Sequence, residues 1–179
     1  MLDLGCGAGR NAIPLARLGW DVVGIDLSRP MLSTAAQRAS EDRLDDRLHW
    51  VLAPMDAIPV RDRSFDLVIA HGIWNLARSA AEFRKALDET ARVAKPGAGL
   101  FVFTQFSGQP QCFLSEDQLV SELAAAGFAP EPGVPLTEYN RPRPGTMRSG
   151  TPPVILEAGF RRRRSRDDDD VRLSPPRPG

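Results

Sequence analysis

Short apolar segments with strand character alternate with segments of helical periodicity from the first residue to about residue 104. This alternation restricts the fold strongly, because strands connected through helices pair in parallel and leave helices on both faces of the sheet. Two further apolar segments near the end extend the pattern. The sequence therefore predicts a doubly wound α/β fold with a mostly parallel sheet of seven strands, at residues 1–4, 21–25, 48–52, 65–70, 100–104, 128–130 and 154–160.

Helix start and stop signals lie between these segments. Ser28 is placed to cap a second helix that has Pro30 in its first turn, and residues 80–94 carry apolar side chains at helical spacing. Ser115 begins a capping-box pattern that opens a later helix. A long loop rich in proline and glycine is expected over residues 130–153.

Composition excludes several classes of protein. The 179 residues suit one domain, and 23 basic against 23 acidic residues give a formal net charge of +0, which argues against duplex DNA or an anionic membrane as partner. No apolar run approaches the ~18 residues of a membrane span, and no secretion signal is evident, so a cytoplasmic protein is expected. Cys6 and Cys112 are too few for a disulfide scaffold or a thiolate zinc site, and no metal site is predicted.

The end of the chain differs from the rest. Four arginines at 161–164 are followed by four aspartates at 167–170 and then by prolines. Such charge blocks cannot build a core. We therefore predict a domain at residues 1–160 and a disordered tail at residues 161–179.

Three glycines at alternate positions, Gly5, Gly7 and Gly9, follow the first strand. In a doubly wound sheet this turn lies at the carboxyl ends of the strands, where ligands bind, and glycine lets bare main chain approach a ligand. Arg10 stands where the dinucleotide pattern G-x-G-x-x-G requires a third small residue. The spacing therefore disfavours NAD as the ligand and leaves it open.

Two acidic residues follow the next two strands. Asp26, at the end of the second strand, can accept hydrogen bonds from both hydroxyls of a ribose. Asp56 follows the third strand and precedes an apolar pair, where its carboxylate can accept from the exocyclic amine of adenine while a backbone N–H meets a ring nitrogen. With the glycine turn, these acids predict a nucleoside-shaped site across three successive strand ends.

Five segments resemble, in order, the motifs of class I S-adenosylmethionine-dependent methyltransferases, most closely the broad group of small-molecule and general methyltransferases. The resemblance covers most of residues 2–160 and is specific for the family rather than for a substrate. It implies a Rossmann-like methyltransferase fold whose last strand, here residues 154–160, runs antiparallel. The segments are LDLGCGAG at 2–9, GIDLS at 24–28, DAIP at 56–59, SFDLV at 64–68 and RVAKPGAGL at 92–100.

The resemblance implies S-adenosylmethionine as the cofactor and assigns residues to its methionine end. Gly5, Cys6 and Gly7 would line that moiety, with the Gly5 carbonyl near its ammonium group. Asp3 would reach the same end and orient the loop. His71, at the end of the fourth strand, would border the methyl group.

The resemblance also assigns residues to the nucleoside end of the cofactor. Asp26 would hold the ribose hydroxyls, while Leu27 and Met31 pack on the adenine. Asp56 and Ala57 would read the adenine edge.

His71 is the best placed candidate for a general base, since a histidine titrates in the appropriate range; a pocket-lining role is the alternative. Trp74 and Asn75 directly follow the same strand, and Phe106 and Tyr139 lie on later loops. These four residues are candidates for the lining of an acceptor pocket, with helix packing as the alternative for the first two.

Absent motifs point to a small molecule as the acceptor. The fourth strand ends in AHGI, without the D/N/S-P-P-aromatic motif that follows it in methyltransferases acting on amino groups of DNA bases.

The family usually places helices before the first strand, whereas Met1 already belongs to that strand, so we expect an N-terminally truncated domain with weak cofactor binding or low stability. Two alternatives stay open: an NAD-dependent oxidoreductase, and an inactive cofactor-binding remnant.

Overall fold

The observed elements follow the predicted alternation of strands and helices. The computed structural model describes residues 1–106, 116–134, 137–140 and 154–164. Helices in these ranges are α1 (Ala12–Arg17), α2 (Arg29–Glu41), α3 (Ala80–Val93) and α4 (Glu116–Ala125), with a short 3₁₀ helix at Trp74–Leu76. The strands are β1 (Leu2–Leu4), β2 (Val22–Asp26), β3 (Leu48–Leu52), β4 (Phe65–His71), β5 (Ala94–Phe106), β6 (Phe128–Pro130), β7 (Thr137–Asn140) and β8 (Val154–Arg162).

The sheet has the order β3-β2-β1-β4-β5-β8-β6. The pairs among β1 to β5 are parallel, and β8 runs antiparallel to both β5 and β6, which confirms the predicted sheet with an antiparallel last strand. The chain leaves β1 toward β2 on one side and returns to β4 on the other, so the carboxyl ends of β1 and β4 border the crevice where ligands bind in such sheets. An eighth strand, β7, pairs with β8 inside the stretch predicted to be a loop.

Helices cover both faces of the sheet and enclose two apolar clusters. One cluster joins the strands to α3 and α4, with Leu4, Val68 and Leu87 among its members. The other joins them to α1 and α2, and includes Met1 and Ile69. Because side chains alternate along a strand, Asp3 of β1 and His71 of β4 share the α1 face with those two residues.

The last strand extends beyond residue 160, where the sequence predicts its end. Strand β8 continues to Arg162, where it pairs with β6. Arg161 forms an ion pair with Glu131 and donates to the Gly97 carbonyl at 3.0 Å. Arg162 donates to the Gly127 carbonyl at 3.1 Å. Backbone pairing therefore recruits the first arginines into the fold, and residues 165–179 of the predicted tail lie outside the described residues.

Other boundaries differ by less. Ser28 caps α2 by accepting a hydrogen bond from the Met31 N–H at 3.4 Å, as its position predicts. Helix α3 ends at Val93, and β5 begins directly at Ala94 rather than at residue 100, because residues 94–99 continue along β4 through a register shift. Ser115 of the predicted capping box and Cys112 fall outside the described residues. None of the helices in the described ranges is long and apolar enough to cross a membrane.

Candidate functional site

The turn between β1 and α1 requires its glycines. Gly5, Gly7 and Gly9 have φ values of +73°, +52° and +77°, in the left-handed region that side chains disfavour. The N–H groups of Gly5 and Cys6 both donate to the Ile25 carbonyl oxygen, at 2.8 and 3.0 Å. These bonds fix the turn against the end of β2 and present its main chain at the ligand edge of the sheet.

Asp26 connects the glycine turn to the start of α2. One carboxylate oxygen accepts the Gly7 N–H at 2.8 Å, and the other accepts the Ser28 N–H at 2.8 Å. The Asp26 carbonyl accepts the Ala53 N–H at 3.1 Å, which brings the loop after β3 alongside. Each carboxylate oxygen keeps a further lone pair, so Asp26 can still accept hydrogen bonds from a ligand.

Two apolar side chains beside Asp26 are exposed to solvent. Leu27 is 70% exposed and Met31 is 44% exposed. The terminal methyl of Met31 lies 3.3 Å from the position that a Cβ on Gly7 would take. An exposed apolar pair next to hydrogen-bond acceptors is suited to covering one face of a flat ring.

Asp56 forms its polar contact with α3. Its carboxylate faces α3, where it pairs with Lys85 at 3.2 Å. The Ala57 N–H donates to the Pro54 carbonyl at 3.3 Å and closes a local turn. The residues predicted to read an adenine edge are thus on the loop expected, with their polar groups engaged within the protein.

Two residues of α3 that are absent from the predicted site hold this loop in place. The Glu89 carboxylate accepts the Ile58 N–H at 2.7 Å, and Arg92 donates to the Ile58 carbonyl at 2.7 Å and the Val60 carbonyl at 2.8 Å. Arg92 also pairs with Glu89 and Asp62, both at 2.7 Å. Arg92 holds the pKa of Glu89 below its usual range. Opposite charges three residues apart on α3 were the available signal, but that spacing is common on solvated helices.

Asp3 and Cys6 are buried beneath the turn instead of lining a cleft. Asp3 is fully buried because β1 is the central strand and α1 covers this face, and burial raises the pKa of its carboxyl to about 6. Within the described part of the chain, neither of its carboxylate oxygens has a hydrogen-bond partner. Burial raises the pKa of the Cys6 thiol to about 12, so the thiol stays protonated, and its side chain packs toward Gly24. The role that the resemblance implies for Asp3 at the methionine end of the cofactor stays a prediction.

His71 lies half-buried at the end of β4. Its ring packs edge-to-face on Phe103, with centroids 4.3 Å apart. Its Nδ1 lies 3.1 Å from Nδ2 and 3.3 Å from Oδ1 of Asn11, a residue absent from the predicted site. Burial first and Arg10 second lower the pKa of His71, while Glu157 opposes them. The imidazole is therefore neutral near pH 7 and able to accept a proton.

A cleft of about 500 Å³ opens beside His71 along the α1 face of the sheet. We call it the α1 cleft. Most of its surface is apolar, and its polar groups cluster at the His71 end. Its lining residues are Arg10, Asn11, Pro14, Leu15, Ile69, His71, Phe101, Phe103 and Glu157.

The predicted acceptor-lining residues separate in the structure. Trp74 is only 2% exposed and packs edge-to-face on Phe83 at 6.0 Å, as the packing alternative predicts. Asn75 is exposed on the 3₁₀ helix. Ile73, which is absent from the predicted site, packs on Gly5, where an added Cβ would lie 2.7 Å from its side chain. The remaining two candidates belong to strands paired with β8, and their side chains lie outside the described part: Phe106 in β5 and Tyr139 in β7.

These groups fit an adenosine-bearing cofactor. The glycine turn presents main chain in a conformation that side chains disfavour, and Asp26 offers free acceptor positions for ribose hydroxyls. Leu27 and Met31 expose apolar surface for a purine. Among the described residues, no group of three or more histidine, cysteine or acidic side chains is arranged to hold a metal ion.

Comparisons with known proteins indicate the family to which the chain belongs. A family model described as a methyltransferase domain matches residues 1–97, more than half of the chain. A demethylmenaquinone methyltransferase of Clavibacter sepedonicus is 40% identical over 111 residues, 62% of this chain and 42% of the relative. A malonyl-[acyl-carrier protein] O-methyltransferase of Salmonella typhimurium is 39% identical over 106 residues, 58% of this chain and 38% of the relative. The chain thus spans about two fifths of the length of these curated relatives.

The fold has close counterparts among solved structures. A SAM-dependent methyltransferase from Methanosarcina mazei superimposes with a TM-score of 0.75 at 19% identity, covering 92% of both chains. At that identity the likeness shows the fold alone, and the family assignment comes from the sequence match. S-adenosylmethionine is the cofactor of this family, so the comparisons do not support the nicotinamide alternative. The chain therefore belongs to the methyltransferase domain family.

Proposed function

We propose that this chain transfers the methyl group of S-adenosylmethionine to a small-molecule acceptor. The observation that carries the proposal is the Asp26 carboxylate, which a 2.8 Å hydrogen bond holds against Gly7 beside the exposed side chains of Leu27 and Met31. The Asp26 carboxylate beside the glycine turn matches the ribose hydroxyls of the cofactor. The apolar pair of Leu27 and Met31 matches its adenine. Alone, the glycine turn would also suit other phosphate or nucleotide ligands.

The chain's own residues would bind and orient the cofactor. Gly5 and Gly7 would border the methionine end, Asp26 would accept from the ribose hydroxyls, and Leu27 and Met31 would cover one face of the adenine. When bound, S-adenosylmethionine supplies a methyl group on a sulfonium, which is already a good leaving group. The protein is then required mainly to align acceptor and methyl group, a contribution of ~7–11 kcal/mol in well-oriented reactions.

Asp56 would read the adenine edge after giving up its present partner. Its pair with Lys85 lies at the surface, with side-chain exposures of 21% and 62%. Exposed pairs of this kind contribute about 0–1 kcal/mol, so a hydrogen bond from the adenine amine can replace it at little cost. We propose that the Asp56 carboxylate turns from α3 toward the nucleoside when the cofactor binds, while Glu89 and Arg92 keep the rest of the loop fixed.

His71 would accept the proton that a hydroxyl or protonated amine acceptor must lose. It stands at the carboxyl end of β4, and burial keeps its imidazole neutral near pH 7. Positioned bases of this type contribute typically about 10²–10⁴-fold to the rate.

The acceptor class rests on related proteins. The relatives named above act, by their names, on demethylmenaquinone and on malonyl-[acyl-carrier protein]. These acceptors differ in structure, so they support a small or carrier-bound molecule without fixing the acceptor atom. The balanced charge supports the same inference, and we place the reaction in the cytoplasm, away from duplex DNA and membranes.

Calorimetric titration with S-adenosylhomocysteine, beside NAD, tests the cofactor site. We expect binding of the first and none of the second. Asp26→Ala should weaken S-adenosylhomocysteine binding about 10- to 100-fold, the loss expected for hydrogen bonds to a charged group. Asp21→Ala is the matched control, because Asp21 flanks the opposite end of β2 with its side chain 78% exposed. Equal affinity in both variants would refute the site.

Transfer itself needs a second assay. Candidate acceptors are incubated with a radiolabelled methyl donor, and labelled product is expected from at least one small molecule. Binding of S-adenosylhomocysteine without transfer to any acceptor would favour a cofactor-binding chain that lacks activity.

A further inference from the structure

Asp3 and His71 are linked through Asn11 on the α1 face of the sheet. Asp3 pairs in register with Ile69, two residues before His71, so both polar side chains leave the sheet on the same side. Asn11 directly precedes α1, and its side chain makes no capping hydrogen bond to the described residues of that helix. Its amide is therefore available to the two groups beneath and beside it.

The Asn11 amide can bond His71 in either of two orientations. Its nitrogen lies 3.1 Å and its oxygen 3.3 Å from Nδ1 of the imidazole. If the nitrogen faces the ring, it donates to Nδ1, and the imidazole proton is then on Nε2. If the oxygen faces the ring, it accepts from Nδ1–H, and Nε2 carries a free lone pair. A neutral histidine can take up a proton at Nε2 only in the second case.

Asp3 decides between these orientations. It is fully buried, and among the described residues neither carboxylate oxygen has a hydrogen-bond donor. The Asn11 side chain and the Ala12 N–H are near enough to favour the charged form, although burial still raises the Asp3 pKa to about 6. At pH 8 the side chain is a carboxylate, which only accepts, and a hydrogen bond to a buried charge is stronger than one between neutral groups. With its nitrogen donating to the Asp3 carboxylate, the Asn11 amide would present its oxygen to His71.

We infer that Asp3 and Asn11 are positioning residues that hold His71 as the Nδ1–H tautomer, with the Nε2 lone pair free to accept a proton. Both hydrogen-bond contacts of the ring are made by Nδ1, which leaves Nε2 uncommitted among the described residues. The other charged groups that influence the ring are Arg10 and Glu157 at the same end of the α1 cleft. Neither contacts Nδ1 in place of Asn11.

The use of this lone pair rests on the proposed function. As the acceptor atom bonds to the methyl carbon, the carbon–sulfur bond breaks and leaves its electron pair on sulfur. The proton lost by the acceptor passes to Nε2. The tautomer itself needs no cofactor or acceptor and can be measured on the free chain.

Nitrogen NMR of the chain labelled with ¹⁵N-histidine tests the inference at pH 8. The chain has two histidines, and His49 is exposed on β3, so the spectrum contains one internal reference and is assigned with His49→Gln. We expect His71 to carry its proton on Nδ1. Asn11→Leu and the nearly isosteric Asp3→Asn should both move the population toward Nε2–H, while the exposed Asp66→Asn leaves it unchanged.

Two results would overturn the inference. One is a wild-type His71 protonated mainly on Nε2, and the other is a tautomer that Asn11→Leu does not change. In an active transfer assay, Asn11→Leu should also lower kcat, within the ~10²–10⁴-fold of a general base, and leave the cofactor KM unchanged. Failure of methyl transfer with the expected tautomer intact would count against the proposed function, whereas loss of the tautomer with transfer intact would count against this role of Asp3 and Asn11.

Discussion

Replacement of Asp3 by asparagine should stabilise the protein at neutral pH. Burial raises the pKa of Asp3 from 3.8 to about 6. The folded state therefore binds the proton more tightly than the unfolded state does, so the contribution of Asp3 to stability is greatest below pH 3.8 and is lost as the pH rises through 6. A shift of about 2 pH units corresponds to about 3 kcal/mol of cost for the charged form at pH 8.

The Asp3→Asn substitution would retain the shape of the side chain and remove the buried charge. At pH 8, this variant should raise the free energy of unfolding by up to about 3 kcal/mol, or the melting temperature by about 6–12 °C. Between pH 8 and pH 4.5, its advantage over the wild type should shrink by about 2 kcal/mol, since the wild-type carboxyl becomes protonated in the fold. Urea denaturation at several pH values measures both quantities.

A surface aspartate provides the control for this experiment. Asp66, whose side chain is 70% exposed, pairs with Lys95 at 2.8 Å, and Asp66→Asn should change stability by less than about 1 kcal/mol. The reasoning is refuted if Asp3→Asn is less stable than the wild type at pH 8. It is equally refuted if the difference does not depend on pH. Because Asn11 is expected to lose its charged partner, the stabilised variant should also lose the His71 tautomer preference, as functional sites often trade stability for chemistry.

Further predictions concern the loop, the glycine turn and the acid range. Arg92→Ala should destabilise the chain by about 2 kcal/mol in urea denaturation, because it breaks bonds to two loop carbonyls and to Glu89. The control Arg84→Ala breaks only the surface pair with Glu122 and should cost less than about 1 kcal/mol. Equal losses in the two variants would contradict the loop-holding role of Arg92. Gly5→Ala should lower the melting temperature more than Gly19→Ala does. Both glycines have positive φ, but among the described residues an added methyl group would meet a side chain only at Gly5, where Ile73 lies 2.7 Å away. A larger loss of melting temperature in Gly19→Ala would contradict this packing. Arg92 lowers the pKa of Glu89, so the contribution of Glu89 to stability is present above its unfolded pKa of 4.5 and is lost as the pH falls below that value. The destabilisation caused by Glu89→Gln should therefore shrink in acid. A destabilisation that does not change with pH would argue against the ion pair.

Local pattern was sufficient to predict most of the fold. Alternation of strand and helix segments, the capping residue Ser28 and the glycine turn are encoded within a few residues of each other, and all three are observed where expected. The contact of Asp26 with Gly7 also follows from the sheet, because the carboxyl ends of adjacent parallel strands meet at one edge.

What the sequence could not predict depends on contacts between distant residues. Arg161 and Arg162 read as solvated charges, yet β5 and β6 pair with them and supply carbonyl acceptors. Trp74 follows β4 directly, but the 3₁₀ helix turns it into the core against Phe83. Strand β7 lies in a proline-rich stretch and exists because the far edge of β8 is available to it.

In the site, too, the sequence motifs could be recognised, whereas the contacts between residues far apart in the sequence could not be predicted. The motif identified Asp3 as an important position, but its complete burial depends on α1 and on the central place of β1 in the sheet. Asn11 carries no motif signal, and its importance follows from its contact with His71 across 60 positions of sequence. Glu89 and Arg92 likewise matter through the loop that they hold.

A crystal structure of the chain with S-adenosylhomocysteine tests the central claim most directly. The account predicts both ribose hydroxyls within about 2.6–3.2 Å of the Asp26 carboxylate, adenine against Leu27 and Met31, and the homocysteine end over Gly5 and Gly7. A nucleoside bound elsewhere, or one whose ribose lies beyond hydrogen-bond reach of Asp26, would contradict it.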